Sequence, residues 1–295
     1  MILTGIGDEA ASSIDGQIKA HQQLGWKWIE LRGVEVPGHA KANFHDLPEA
    51  AFEIAVEKLR AADLGVYCFG STIMNWAKTV QTPFEVTLAE VRRCIPRMKR
   101  LGTKYVRVMS FKPGDDEAVI PAEVFARVRE VTKMFLHAGL QPVHENCMNY
   151  GGMSWQHTLE LLEQAPGLKL VFDTANPVFN PDRSKPQPWA KQDAWEFYTQ
   201  VKPHILHVHI KDARWNPTRQ DADYTMPGEG EGAVRAVIQD LLASGYEGAF
   251  SIEPHVAVVF HDASVQASAE QQFNSYVEYG RALEKLVREV QLPKR

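Results

Sequence analysis

Residues 205–212 read ILHVHIKD, and this stretch decides the fold. Side chains along a strand alternate between two faces. Leu206, Val208 and Ile210 therefore share one apolar face, while His207, His209 and Lys211 share the other with Ile205. The apolar face suits packing against helices. The histidine face is then left to point into the interior of a sheet closed on itself.

Working outward, seven more short runs have the same strand character. They are Ile2–Ile6, Trp28–Arg32, Val66–Phe69, Tyr105–Met109, Gln141–Glu145, Leu170–Asp173 and Ala249–Glu253. Between them lie helical patterns at Ser13–Leu24, Pro48–Ala62, Pro83–Leu101, Pro121–Ala138, Thr158–Gln164, Trp189–Val201 and Ala233–Ser244, with a last one at about Val265–Val290. Strands alternating with helices imply a parallel sheet, and eight strands are the number that closes a (β/α)8 barrel. We expect one such α/β domain over residues 1–295.

Local signals agree with these divisions. Gly25, Gly65, Gly102, Gly139 and Gly245 follow helical runs, where a left-handed cap is cheapest for glycine. Pro48, Pro83 and Pro121 suit first helical turns, and Pro96 is expected to kink or split the third helix. Two long connections, 174–188 and 212–232, follow strands with ionisable ends, and long connections in compact domains often carry function.

Composition sets the outer bounds. The 295 residues are 44% hydrophobic and 23% charged, an ordinary globular balance. A net charge of −5 argues against nucleic acid as a partner, since its binders carry basic surfaces. Cys68, Cys94 and Cys147 form neither a disulfide framework nor a CxxC metal pair. The start, MILTGIGDEA, is no secretory signal, and no apolar run is long enough to span a membrane. The expectation is a cytoplasmic protein acting on a small molecule.

Strand alternation also singles out a metal set. Glu145, Asp173, His209 and Glu253 all point inward at the C-terminal ends of consecutive strands five to eight. One carboxylate at a strand end is ordinarily a helix cap or a solvated loop residue. Four inward groups at one depth, three carboxylates and one imidazole, suit a single divalent ion. Manganese is the first choice, with magnesium, cobalt or zinc as alternatives. Active-site groups occupy this end of such barrels.

These motifs carry a resemblance. HEN at 144–146, FDTAN at 172–176, HVHIKD at 207–212, PGEG at 227–230 and IEPH at 252–255 resemble the xylose isomerase-like TIM-barrel superfamily, and within it the sugar phosphate isomerase/epimerase group. The resemblance covers nearly the whole chain. It implies that the two glutamates, the aspartate and the histidine hold one divalent metal, and that Glu145 and Glu253 are also the acid/base pair. It also implies a homodimer or higher homo-oligomer. Two departures stand out: ketose 3-epimerases commonly carry a histidine where this chain has Asn176, and the family's arginine beyond the histidine ligand has no clear counterpart around Arg214 and Trp215.

The expected function is thus a metal-dependent isomerase or epimerase acting on a keto sugar or polyol ketone through an enediolate. A lyase on the same scaffold, a dehydratase, decarboxylase or C-glycoside-cleaving subunit, would start with the same enolisation and gains if His144 reaches the pocket. A DNA-repair endonuclease of the same superfamily is disfavoured by Asn176 and by the acidic charge. A non-catalytic sugar-binding barrel is disfavoured by the retained ligand set. Further substrate-binding candidates are Glu30, Arg107, His144, Asn176, His207, Lys211 and His255. Of these, Glu30 and Arg107 read equally well as interior ion-pair partners, and His207 reads better as a support one layer below His209. His144 is aimed toward the helices by alternation. Trp76 would serve as an apolar wall or as loop packing.

Overall fold

The computed structural model describes residues 1–257 and 267–291. Eight parallel strands form the central sheet: β1 (Ile2–Gly5), β2 (Trp28–Leu31), β3 (Gly65–Phe69), β4 (Tyr105–Val108), β5 (Gln141–Glu145), β6 (Lys169–Asp173), β7 (Ile205–Ile210) and β8 (Ala249–Ile252). Their hydrogen-bonded order runs β1-β8-β7-β6-β5-β4-β3-β2. The remaining edge is drawn together by a parallel bridge between Ile6 and Glu30 and by the Thr4 hydroxyl donating to the Trp28 carbonyl at 2.9 Å. The fold is a TIM barrel. Among the described residues eight helices of two turns or more surround it: α1 (Ile14–Leu24), α2 (Glu49–Ala61), α3 (Phe84–Leu101), α4 (Ala122–His137), α5 (Trp155–Gln164), α6 (Ala194–Val201), α7 (Val234–Ala243) and α8 (Ala269–Gln291). The expected start of the last helix at Val265 lies outside the described residues.

The apolar strand faces do what their pattern requires. Leu170, Phe172, Val208, Ile210, Phe250 and Ile252 pack outward with α6, α7 and α8. A smaller cluster of Tyr67, Cys68, Val143, Val171 and Ala249 plugs the lower barrel interior. At the start of β7 the alternation breaks. Leu170 pairs with Ile205 and Val171 with His207, so Leu206 is the extra residue of a β-bulge. Ile205 therefore joins the outer cluster, and Leu206 packs with the interior one, the reverse of simple alternation.

Other differences are equally local. Pro48, Pro83 and Pro121 sit at the N-cap, one residue before the first turn, in extended conformation. Pro96 does not split α3, which runs unbroken. Pro96 and Arg92 are both exposed, so the carbonyl deprived of its partner faces water. Gly65 is no cap: Asp63 takes the left-handed position after α2, at φ 51°. Gly65 instead opens β3, where an added Cβ would stand 2.6 Å from the Trp28 ring. The connection 212–232 is not irregular throughout but contains an antiparallel hairpin, Asp212–Asn216 with Asp221–Thr225. No helix among the described residues is long and apolar enough to cross a membrane.

Candidate metal centre

The C-terminal strand ends bring Glu145, Asp173, His209 and Glu253 together, each offering a ligand atom within 4.8 Å of the others. All four are buried. Glu145 ends β5 and Asp173 ends β6, while Glu253 follows β8 and extends its ladder by donating its N–H to Ile210 at 3.0 Å.

Each carboxylate is aimed by a different device. Asp173 Oδ1 accepts from the backbone N–H groups of Ala175 (2.9 Å) and Asn176 (2.7 Å), the two residues that lead into the short helical turn Asn176–Phe179. That leaves Oδ2 facing the centre, with Lys211 Nζ 3.1 Å away. Glu145 accepts from Arg107 at 2.8 Å and from the Asn176 side chain at 3.2 Å. Glu253 accepts from Arg32 at 2.6 Å and from Lys211 at 3.2 Å. Arg32 is itself clamped by Asp8 and Glu9.

His209 is oriented from below. Its Nε2 lies 3.1 and 3.2 Å from the Glu30 carboxylate. Glu30 also takes His207 Nε2 at 2.7 Å and the Ser251 hydroxyl at 2.9 Å. The Nδ1 of His209 makes no hydrogen bond and stands 3.7 Å from both Glu145 and Glu253. A fully buried imidazole nitrogen without a partner, facing three carboxylates, is the arrangement a divalent cation satisfies. The residues present fit such an ion. Their hard oxygen majority suits magnesium or manganese, and the imidazole admits cobalt or zinc.

Protonation follows from the same contacts. Burial pushes Glu145 up, yet Arg107 and His209 outweigh it and hold the carboxyl down to about 2. Glu253 is likewise held well below the ordinary carboxylate range, because Lys211 and Arg32 overcome its burial. Asp173 goes the other way, to about 6: burial and the two neighbouring glutamates exceed the pull of Lys211. Burial would lower His209, but Glu30 and Glu145 raise it to about 10.

Above the four lies a cavity of about 390 Å³, lined by Glu145 and Glu253 together with Arg107, Asn176, Lys211, His255 and Trp76. Those five expected residues reach it. Asp173 and His209 are fully buried beside these two glutamates and do not line it. Glu30 and His207, named among the substrate-binding candidates, do not line it; they sit beneath His209, in line with their reading as an interior ion-pair partner and a support one layer down. His144 does not line it either. It lies on the outer face of β5, with Nε2 3.0 Å from the Ser110 hydroxyl, and burial lowers it to about 4. Gly151 makes room for it, since a Cβ there would stand 2.5 Å from Cε1 of the ring.

Several lining residues were not anticipated. Asp8, Asn43 and Tyr224 all border the cavity. The acidic pair Asp8-Glu9 just after β1 was a visible signal. Tyr224 becomes readable only once the hairpin register pairs it with Ala213. His255 is held at φ 53°, its N–H donating to Glu9 at 3.2 Å and its Nδ1 2.9 Å from the same carboxylate. Asp212, after β7, accepts from the N–H groups of Gly228, Gly230 and Gly232 at 2.8–2.9 Å, and this fixes the PGEG segment.

The fold has many relatives. A magnesium-bound xylose isomerase-like TIM barrel protein from Mycobacterium smegmatis is 18% identical with a TM-score of 0.66, covering 97% of both chains. A probable 3-DHS dehydratase from Bacillus anthracis is 16% identical with a TM-score of 0.69, over 96% of this chain and 99% of that one. D-allulose 3-epimerase from a Methylomonas species is 14% identical with a TM-score of 0.63, over 98% and 96%. No curated protein matches the chain in sequence. The xylose isomerase-like TIM barrel family model matches residues 18–275, and the chain belongs to that family.

Proposed function

We propose that this chain is a divalent-metal-dependent isomerase or epimerase of a keto sugar or related polyol ketone. One observation carries the reading: His209 Nδ1 is buried without a hydrogen-bond partner inside a ring of three carboxylates, two of them at the wall of a ligand-sized cavity. Glu145, Asp173, His209 and Glu253 would hold the ion. When bound, it supplies Lewis-acid polarisation of a substrate carbonyl.

The chain's own groups do the proton work. Glu145 and Glu253 project from strands separated by β6 and β7, so they can address opposite faces of one substrate carbon. Arg107 on Glu145, and Arg32 with Lys211 on Glu253, keep both carboxylates ionised and fixed in direction. One removes a proton from the carbon beside the carbonyl and becomes the carboxylic acid; the other passes a proton taken from solvent in the cavity to the opposite face of the enediolate, and exchange of the first proton with water restores the pair. Net composition does not change, as isomerisation and epimerisation require. Asn176 donates to Glu145 where ketose 3-epimerases commonly have a substrate-contacting histidine, which argues for a substrate other than the usual ketohexose. The lyase reading loses a candidate base because His144 is turned away from the cavity and is occupied by Ser110.

The test has two parts. Metal content of the purified protein should approach one ion per chain by mass spectrometry. A panel of keto sugars in deuterated water with manganese should show exchange of the proton beside the carbonyl by NMR. A protein that never takes up metal would end this reading.

A further inference from the structure

Beside the metal chamber lies a second cavity of about 300 Å³. The two share Cys147, Met148 and Phe179 as a common wall. Nothing in the proposed proton chemistry uses the second one. Its walls come from the segments after β4, β5 and β6 and from the hairpin after β7, so it opens on the same end of the barrel. It is large enough for one ring and is of the size that ligand pockets begin at.

The lining differs in kind from that of the metal chamber. Met148, Met153, Phe179 and Trp215 provide flat or polarisable apolar surface. Such side chains pack favourably on a planar ring. Donors stand at the edge. Lys191 Nζ is 3.7 Å from the centre of the Trp215 ring and donates to the Phe179 carbonyl at 2.8 Å, while Lys112 reaches the cavity from an exposed position. Lys191 is half-buried, and that burial lowers its pKa. An ammonium in this setting gains from an acceptor oxygen on the ring's rim.

We propose that the second cavity is a subsite for a ring bearing oxygen acceptors, so that the substrate has two units: a hydroxyketone unit over the metal centre and a planar ring beyond Met148. The two-unit substrate rests on the proposed function; the ring subsite itself does not, because none of the four metal-centre residues lines it. A single keto sugar fills only the first chamber. Ring attachments of this size include an aromatic aglycone or a second sugar, and an aromatic ring suits the methionine and tryptophan surfaces better.

The probe is 4-nitrophenol, a planar ring with acceptor oxygens and no hydroxyketone. Titrated into the full-length protein and followed by difference absorbance, it should saturate at one site per chain. Its affinity should fall about tenfold in Trp215→Ala, the loss expected for one ring-on-ring contact. It should fall comparably in Lys112→Trp, which fills the chamber from an exposed position without opening the core. Removing metal with a chelator should leave the affinity unchanged, which separates this subsite from the metal centre. Non-saturable binding, or an affinity untouched by both substitutions, would overturn the proposal. A protein that binds the probe but no metal would overturn only the two-unit substrate and the function it rests on.

Discussion

His207 and His209 stand two residues apart on β7, on the same face, and both are fully buried against the same carboxylate of Glu30. Their chemistry nonetheless diverges. His209 is raised to about 10, whereas His207 is lowered, because burial outweighs its one carboxylate. The upper ring also faces Glu145 and Glu253 across 3.7 Å, while the lower one lies among apolar and aromatic side chains, with the Tyr67 ring 5.1 Å from its own. One step of strand alternation, about 7 Å along the chain, separates a ring whose Nδ1 faces the carboxylates from one that braces Glu30 beneath it. The barrel interior is therefore two layers with different tasks: an upper ring of Glu145, Asp173, His209 and Glu253, and a lower post of Glu30, His207 and Ser251.

The strongest way to break this division is at the upper layer. Glu253→Gln keeps the shape of the side chain but removes a base. It should lower turnover of any exchanging substrate by roughly 10²–10⁴-fold, the usual contribution of a positioned acid/base group. Circular dichroism should show the fold intact. A variant that retained full exchange would remove Glu253 from the proton-transfer pair.

Glu30→Gln tests whether the lower layer acts through the upper one. A neutral amide can still meet His209 Nε2, but it no longer polarises the ring or fixes one tautomer. Metal affinity, read by calorimetric titration, should drop about 10–100-fold, as for partners that orient a ligating histidine. Glu30→Asp should recover part of that loss. An unchanged metal affinity in Glu30→Gln would mean that His209 is positioned without it.

The upper layer was legible in the sequence for a simple reason. Alternation and strand ends are local properties, so Glu145, Asp173, His209 and Glu253 could be put on one face and at one depth from four short runs. The lower post was legible only in part: His207 read as a support one layer below His209 and Glu30 as an interior ion-pair partner, but their meeting did not, because they are 177 residues apart and come together only when β2 and β7 curve around a shared interior. The same holds for Arg32 and Glu253, 221 residues apart. Local failures had local causes: a bulge at Leu206 reversed two side chains, and a hairpin register hid Tyr224 inside what read as a loop.

A smaller effect is expected at His207→Phe. The ring volume is nearly kept and the Tyr67 contact survives, but Glu30 loses its shortest donor at 2.7 Å. Unfolding free energy should fall by about 1–3 kcal/mol, the range for leaving a buried acceptor short of a partner. Metal affinity should move less than in Glu30→Gln, because His209 keeps its own bonds to the carboxylate.

Ser251→Ala is the mildest and most discriminating of the series. Ser251 is paired in register with His209 and donates to Glu30 at 2.9 Å. Glu30 retains both histidines after the hydroxyl is removed, so its charge stays compensated. The loss should be about 1.5 kcal/mol of stability, the net worth of one hydrogen bond to a charged acceptor at its lower end. Denaturant unfolding reads that loss, and the metal titration should be nearly unmoved. If Ser251→Ala instead weakened metal binding as much as Glu30→Gln, the two layers would be one cooperative network. The distinction between a ring that binds and a post that supports would then fail, and each hydrogen bond to Glu30 would count as part of the metal centre.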